Sequence, residues 1–162
     1  MAEDESIAGR EQAGRREQEI RRAMARLLAC DGDYRQLHAE LAAKRLAWWE
    51  AHRQELALSG PLPRQAYALF LLDYLRLDPA EVPIVYEDER RIVWRSFNFC
   101  PTLAACERLG LDTREVCRLG TEGSVQELIA RLDPRLRFSR NYLDGIRPYA
   151  AYCEETIELG AG

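Results

Sequence analysis

The amino-acid sequence predicts an α+β domain in which a helical N-terminal half precedes a four-stranded antiparallel sheet. Up to about residue 78, apolar residues recur at spacings of three and four, which is the period of an α-helix. From residue 79 onward, two pairs of segments carry alternating β-branched and aromatic residues, a pattern typical of β-hairpins. Three short helical segments separate the two predicted hairpins. Helices grouped beside an antiparallel sheet define the α+β class.

The 162 residues fit one domain with a polar N-terminal extension. Residues 1–18 are polar apart from Ile7, and we expect a flexible tail or a solvated extension of the first helix. A single α+β domain is predicted over residues 19–162. Within it, residues 19–78 form the helical part and residues 79–159 form a cysteine-bearing β/α part.

Three helices are predicted in the helical part, over residues 19–30, 34–58 and 63–77. Polar and glycine-containing breaks at residues 31–33 and 59–61 separate them. The third helix is apolar on nearly every side. We therefore expect it in the middle of the core.

The β/α part is predicted to contain two hairpins that flank a three-helix insertion. The first hairpin pairs residues 83–86 with 91–99 across a charged turn. The second pairs two alternating segments, Leu136, Phe138, Arg140 and Tyr142 with Ala151, Cys153, Glu155 and Ile157. The helices between the hairpins have start signals at Pro101, Asp112 and a capping box at Ser124, and stop signals at Gly110, Gly120 and Asp133.

Composition excludes several classes of function. The formal net charge is −4, whereas nucleic-acid binding needs a basic patch, so no nucleic-acid partner is expected. The longest apolar run, residues 66–72, is far short of the ~20 residues that a membrane helix needs. An acidic start and five cysteines without tight spacing indicate reduced thiols in the cytoplasm. The expected ligand is a small molecule, and the N-terminal helices are a possible docking surface for a second copy or a partner protein.

Cys100 is the strongest candidate for a catalytic residue. It ends a predicted strand and precedes Pro101 at a helix start, so it should occupy the N-cap position. Helix-terminal amides and the helix dipole stabilise a thiolate there, and we expect a lowered pKa for the Cys100 thiol. Both activated nucleophiles and metal-binding thiolates use such an environment.

Three cysteines are candidate metal ligands. Cys100, Cys117 and Cys153 can converge at one end of the sheet, and with a nearby acid such as Glu154 or Glu155 they would suit zinc or an iron–sulfur cluster. Their long spacings match no compact metal motif, and Cys117 and Cys153 are each also consistent with core packing. Cys106 falls in an apolar helical stripe and is interpreted as a core residue.

A further alternative rests on His38 and Glu40. Their spacing matches the H-x-E element of zinc nucleoside deaminases, in which the histidine binds the metal and the glutamate transfers protons. The second element of that signature, P-C-x-x-C, is absent, because Pro101 follows Cys100 and the next cysteine is Cys106. His38 also lies within a long helical pattern.

From Val93 to Leu159 the chain resembles the L-2-amino-thiazoline-4-carboxylic acid hydrolase-like family. The resemblance is carried by Phe99-Cys100-Pro101, the run from Gly110 to Cys117, the run from Leu132 to Phe138, and Tyr152-Cys153-Glu154. It implies hydrolytic opening of a small cyclic amidine-type substrate, with Cys100, Cys117 and Cys153 as functional cysteines. The matching part contains no histidine, so a Cys–His pair is not expected.

Two functions of different classes follow from these observations. The first is a small-molecule hydrolase, or a degenerate relative of one, that uses Cys100. The alternative is a non-enzymatic module that binds a ligand, zinc or an iron–sulfur cluster. A zinc nucleoside deaminase-like protein is the third possibility.

Overall fold

The computed structural model of the chain describes residues 2–161. Its elements, in chain order, are α1 (Ala2–Cys30), α2 (Arg35–His52), α3 (Leu62–Tyr67), β1 (Ile84–Glu87), β2 (Arg91–Ser96), α4 (Pro101–Leu109), α5 (Thr113–Val116), α6 (Glu122–Ala130), β3 (Leu136–Arg140) and β4 (Cys153–Leu159). The fold is α+β, as predicted. Met1, at the start of the predicted tail, and Gly162, at the end of the predicted domain, lie outside the described residues.

The helices of the N-terminal half begin and end close to the predicted breaks. Helix α1 is continuous from Ala2, so the described part of the polar extension is helical. It ends where Asp31 and Gly32 take up left-handed backbone conformations, with φ of 46° and 80°. Helix α2 stops at His52, six residues before the predicted end. The break at residues 59–61 predicted a longer helix, but Leu56 and Leu58 pack against the core from an irregular segment.

The apolar third helix lies in the core, as predicted. Its first part, α3, continues directly into a π-helical segment, Ala68–Tyr74. Ala66 and Leu69 are fully buried, and Phe70 packs edge-on against Phe138 of the sheet with ring centroids 6.1 Å apart. No helix within residues 2–161 combines the length and apolar character needed to cross a membrane.

The four strands form one antiparallel sheet in the order β1-β2-β4-β3, which confirms the predicted sheet. Residues directly opposite each other on antiparallel strands share a face. The core face is apolar where Ile92 lies opposite Ile157, and it becomes polar where Ser96 lies opposite Cys153. On the other side of β4, Arg140 lies opposite Glu155 on the same face.

The outer edge of β3 is closed by a side chain. The Gln126 amide on α6 donates to the Leu136 carbonyl and accepts from the Phe138 N–H, both at 2.8 Å. A carboxamide offers one donor and one acceptor, as a peptide group does. Gln126 therefore replaces a neighbouring strand at this edge.

Two predicted helix signals in the insertion were wrong. Helix α5 continues through a π-helical segment, Cys117–Thr121, directly into α6, so Gly120 does not end a helix. A side chain at Gly120 would place a Cβ 2.6 Å from Leu37 of α2, so this glycine serves close helix packing instead. Ser124 lies inside α6, where its hydroxyl donates to the Thr121 carbonyl at 2.6 Å. The stop at Gly110 is confirmed, with a left-handed φ of 66°.

Candidate cysteine site

Cys100 occupies the N-cap of α4, as predicted. The prediction that it also ends a strand was wrong, because β2 stops at Ser96. Its backbone is extended, with φ −125° and ψ 109°, and Pro101 is the first helical residue. Its Sγ accepts a hydrogen bond from the Leu103 N–H at 3.4 Å. The sulfur therefore satisfies one of the free amides at the start of the helix.

The expected lowering of the Cys100 pKa is wrong. Burial raises the pKa of this thiol, because a thiolate loses more hydration than a thiol when it leaves water. The Leu103 N–H and the Arg147 guanidinium act in the opposite direction and do not outweigh burial. The Cys100 thiol is thus protonated near neutral pH in the free protein.

Cys100 borders a surface cleft of about 360 Å³. Two guanidiniums line it, that of Arg16 from α1 and that of Arg147 from the loop between β3 and β4. The Arg16 guanidinium also lies 4.9 Å from the centroid of the Phe99 ring. Glu81 and Glu107 also line this cleft. It therefore presents one thiol together with groups of both charges.

Arg147 connects the long β3–β4 loop to the end of β2. Its Nη1 donates to the Asn98 carbonyl at 2.7 Å, and its Nε donates to Cys153 Sγ at 3.4 Å. The carbonyl of Arg147 accepts from the Thr113 hydroxyl at 3.0 Å. Contacts to β4, to the segment after β2 and to α5 thus fix this residue beside the cleft.

Cys117 begins the π-helical segment that follows α5. Burial raises the pKa of Cys117 to about 11; the Arg140 guanidinium opposes this rise, and the thiols of Cys100 and Cys153 add to it. Cys106 is fully buried, and burial raises its pKa to about 12, as suits the predicted core residue. Cys30 is buried between α1 and α2, in the same apolar cluster as Cys106.

The structure does not place Cys100, Cys117 and Cys153 together with an acid as a metal site. Across residues 2–161, no group of three or more histidine, cysteine, aspartate or glutamate side chains is placed to hold a metal ion. The two acids considered as extra ligands have arginine partners: Glu154 pairs with Arg95 at 3.1 Å and Glu155 with Arg140 at 3.3 Å. Zinc or an iron–sulfur cluster at the three cysteines stays a prediction without support from this geometry.

A buried ion pair beside the cysteines was missed by sequence reasoning. The side chains of Arg140 and Glu155 retain only 10% and 8% of their exposed area, and Arg140 Nη1 also donates to the Thr121 hydroxyl at 2.8 Å. A signal was present in the sequence, because both residues occupy inward-facing positions of the alternating pattern, two residues from the apolar Phe138 and Ile157 on their strands. Charged residues at such positions are almost always paired.

A second buried arginine, Arg45 of α2, lies near this pair. It donates to the Ser124 hydroxyl, and its guanidinium lies 5.6 and 5.7 Å from the ring centroids of Phe70 and Tyr74. Burial lowers the pKa of Arg45 to about 10, and the nearby charge of Arg140 acts in the same direction. The side chain still carries its charge at neutral pH.

His38 and Glu40 have separate partners on the protein surface. The His38 ring lies 3.3 Å from a Glu127 carboxylate oxygen, and Glu40 lies 3.6 Å from Arg26. A side chain at Gly123 would overlap the His38 ring, so this ring packs directly on α6. These contacts give both residues of the H-x-E match a structural role.

Comparison with known proteins identifies no relative: no family model, curated protein or solved structure matches the chain.

Proposed function

We propose that this is a small-molecule hydrolase-like protein that opens a small cyclic amidine-type substrate in the cleft beside Cys100. The observation that carries the proposal is the position of Cys100 at the N-terminus of α4, in a cleft that is also lined by Arg147 and Arg16. The resemblance of residues 93–159 to a cyclic amidine hydrolase family supports the same reaction class.

The charges of the cleft favour a small ligand that carries both an anionic and a cationic group. The guanidiniums of Arg16 and Arg147 suit a carboxylate, and the carboxylates of Glu81 and Glu107 suit a protonated amidine. A volume of about 360 Å³ lies at the lower end of the range for ligand pockets, which suits a metabolite of one ring.

The chemistry follows from a protonated thiol without a histidine partner. The bound amidinium first gives one proton to a carboxylate of the cleft, and the ring nitrogen of the neutral amidine then takes the Cys100 proton while the sulfur attacks the amidine carbon. A carbon–sulfur bond forms and the carbon–nitrogen π bond breaks. A ring bond to the same carbon then breaks as a nitrogen lone pair re-forms the π bond, and a proton passes from that nitrogen to the leaving atom. Water attacks that carbon, the carbon–sulfur bond breaks, and a proton from the water restores the thiol.

The test is ring opening of a five-membered cyclic amidine carboxylate, followed by mass spectrometry of the product. We expect turnover by the wild-type protein and its loss in Cys100→Ala, because the nucleophile is removed. The matched control is Cys30→Ala, which removes a buried thiol that does not line the cleft and should keep the activity. Equal turnover by Cys100→Ala and wild type would refute the assignment of Cys100.

The non-enzymatic alternative makes a different prediction for the same assay. A ligand-binding module would bind the cyclic amidine without producing the opened ring. A metal-binding module would contain zinc or iron after anaerobic purification, detected by elemental analysis and absorption, and would lose it in Cys117→Ala.

The deaminase alternative requires that Glu40→Gln abolish activity, whereas we expect no change, because Glu40 pairs with Arg26.

A further inference from the structure

Helix α1 forms one wall of the cleft, although it lies outside residues 93–159, the part of the chain that resembles the hydrolase family. Arg16 of α1 lines the cleft. It precedes the buried residues Ile20, Ala23 and Leu27 by four, seven and eleven positions. Residues at these spacings share one face of a helix. Arg16 thus continues the packed face of α1 to the point where that face meets the cleft.

An ion pair fixes this part of α1 on α4, the helix that begins directly after Cys100. Arg108 of α4 donates two hydrogen bonds to the Glu17 carboxylate, each 2.8 Å long. Glu17 directly follows Arg16, and consecutive residues of a helix point about 100° apart. The pair between Arg108 and Glu17 therefore sets the position of the Arg16 backbone relative to α4, while the Arg16 side chain points elsewhere and lines the cleft.

The Arg16 guanidinium has an aromatic neighbour and no carboxylate partner. It lies 4.9 Å from the centroid of the Phe99 ring, and Phe99 directly precedes Cys100. None of the ion pairs in the described part of the chain involves Arg16. A guanidinium over a ring keeps the N–H donors at its edge, and these match a carboxylate with two parallel hydrogen bonds. Arg16 can therefore bind an anion without giving up an existing ion pair.

Arg147, the second guanidinium of the cleft, is less available to a ligand. Its Nη1 donates to the Asn98 carbonyl at 2.7 Å, and its Nε donates to the Cys153 sulfur at 3.4 Å. Two of its three nitrogens are thus engaged, and a carboxylate would compete with these acceptors. The anion site of the cleft is therefore expected at Arg16.

The carboxylates of the cleft give a ligand a second point of attachment. Glu81 and Glu107 line the cleft, and neither belongs to an ion pair within the described residues. Unpaired charges of both signs in about 360 Å³ orient a ligand that carries an anionic and a cationic group. A ligand that lacks the carboxylate loses the contact with Arg16 and keeps only the contact with the glutamates.

We propose that Arg16 is the specificity-determining residue of the cleft: its guanidinium binds the carboxylate of the substrate and so selects amidines that carry a carboxylate over those that do not. The chemical class of the ligand rests on the proposed function. The inference itself concerns binding and does not require that a bond be broken.

Isothermal titration calorimetry of the full chain tests the inference with two probes, methylimidazoline carboxylate, a five-membered cyclic amidine, and its carboxamide. Both probes carry the amidinium, and only the first carries a negative charge. We expect the wild-type protein to bind the carboxylate about tenfold more tightly, because the carboxamide cannot form the charged pair. In Arg16→Gln this ratio should fall below about twofold. Arg16→Lys, which keeps the charge without the planar fork, should retain part of the preference.

The matched control is Arg15→Gln. Arg15 is the neighbouring arginine on α1 and does not line the cleft, so the same loss of charge should leave the ratio unchanged. An unchanged ratio in Arg16→Gln would overturn the inference, as would a wild-type protein that binds neither probe or binds both equally.

Mass spectrometry of the probes after each titration separates this inference from the proposed function. Ring opening without a preference for the carboxylate would overturn the inference and leave the hydrolase function intact. A preference for the carboxylate that depends on Arg16, without ring opening, would support the inference and overturn the hydrolase function.

Discussion

Replacing Glu155 by Gln tests the buried ion pair between Glu155 and Arg140. Glu155 is the partner of Arg140, and both side chains are about nine-tenths buried. The change keeps the size of the side chain and one oxygen acceptor but removes the negative charge. Arg140 would then be a buried cation without a counter-ion, in the same region as the buried cation of Arg45.

The expected loss of stability is large for a nearly isosteric change. Removing one partner of a buried ion pair costs about 3–5 kcal/mol, and the acceptor that Gln retains places this variant near the lower limit, about 3 kcal/mol. Glu154→Gln is the matched control, because Glu154 is the neighbouring residue on β4 and its partner Arg95 is 39% exposed. An exposed pair contributes about 0–1 kcal/mol.

Urea denaturation followed by circular dichroism measures the difference. With a slope of about 2 kcal/mol per molar urea, Glu155→Gln should lower the unfolding midpoint by about 1.5 M and Glu154→Gln by less than about 0.5 M. The double variant Arg140→Met/Glu155→Leu should recover at least half of the loss, because no unpaired charge remains. Equal midpoints for the two glutamine variants would refute the conclusion that the buried charge at Glu155 offsets that of Arg140.

Three further predictions concern packing, the sheet edge and a surface carboxylate. Gln126→Ala should destabilise the protein by about 1–2 kcal/mol in urea, since two hydrogen bonds at the edge of β3 are lost; a loss below 0.5 kcal/mol would contradict its role as a strand substitute. Gly120→Ala should cost about 1–3 kcal/mol through overpacking against α2, whereas Gly9→Ala, with open space around it, should stabilise the protein by up to about 1 kcal/mol. Hydrogen bonds from Arg108 lower the pKa of Glu17 to about 2, so the NMR titration midpoint of that carboxyl should rise toward its ordinary value in Arg108→Gln. Because the folded-state pKa of Glu17 is depressed, its pairing with Arg108 contributes stability above the ordinary glutamate pKa, and this contribution is lost as the pH falls toward 2. An unchanged NMR titration midpoint of Glu17 in Arg108→Gln would disprove the pairing.

Local features of the site were predictable because neighbouring residues create them. The N-cap position of Cys100 depends on Pro101 directly after it, which is visible in the sequence. The left-handed stop at Gly110 is equally local. The pairing of Gly120 with Leu37 was not predictable, because it joins helices that are far apart in the chain.

The sequence by itself determined the α+β class, the four strands, the core position of the third helix and the placement of Cys100 at a helix start. Those features depend on periodicity and on short-range capping, which act over a few residues. The tertiary structure alone decided the protonation of Cys100, because burial raises the pKa of this thiol against the effect of its helix terminus. It also decided that Arg147, 49 residues from Asn98, contacts both that carbonyl and the sulfur of Cys153. Desolvation and long-range charge depend on which surfaces meet when the chain folds, and a linear pattern of residues does not contain that information.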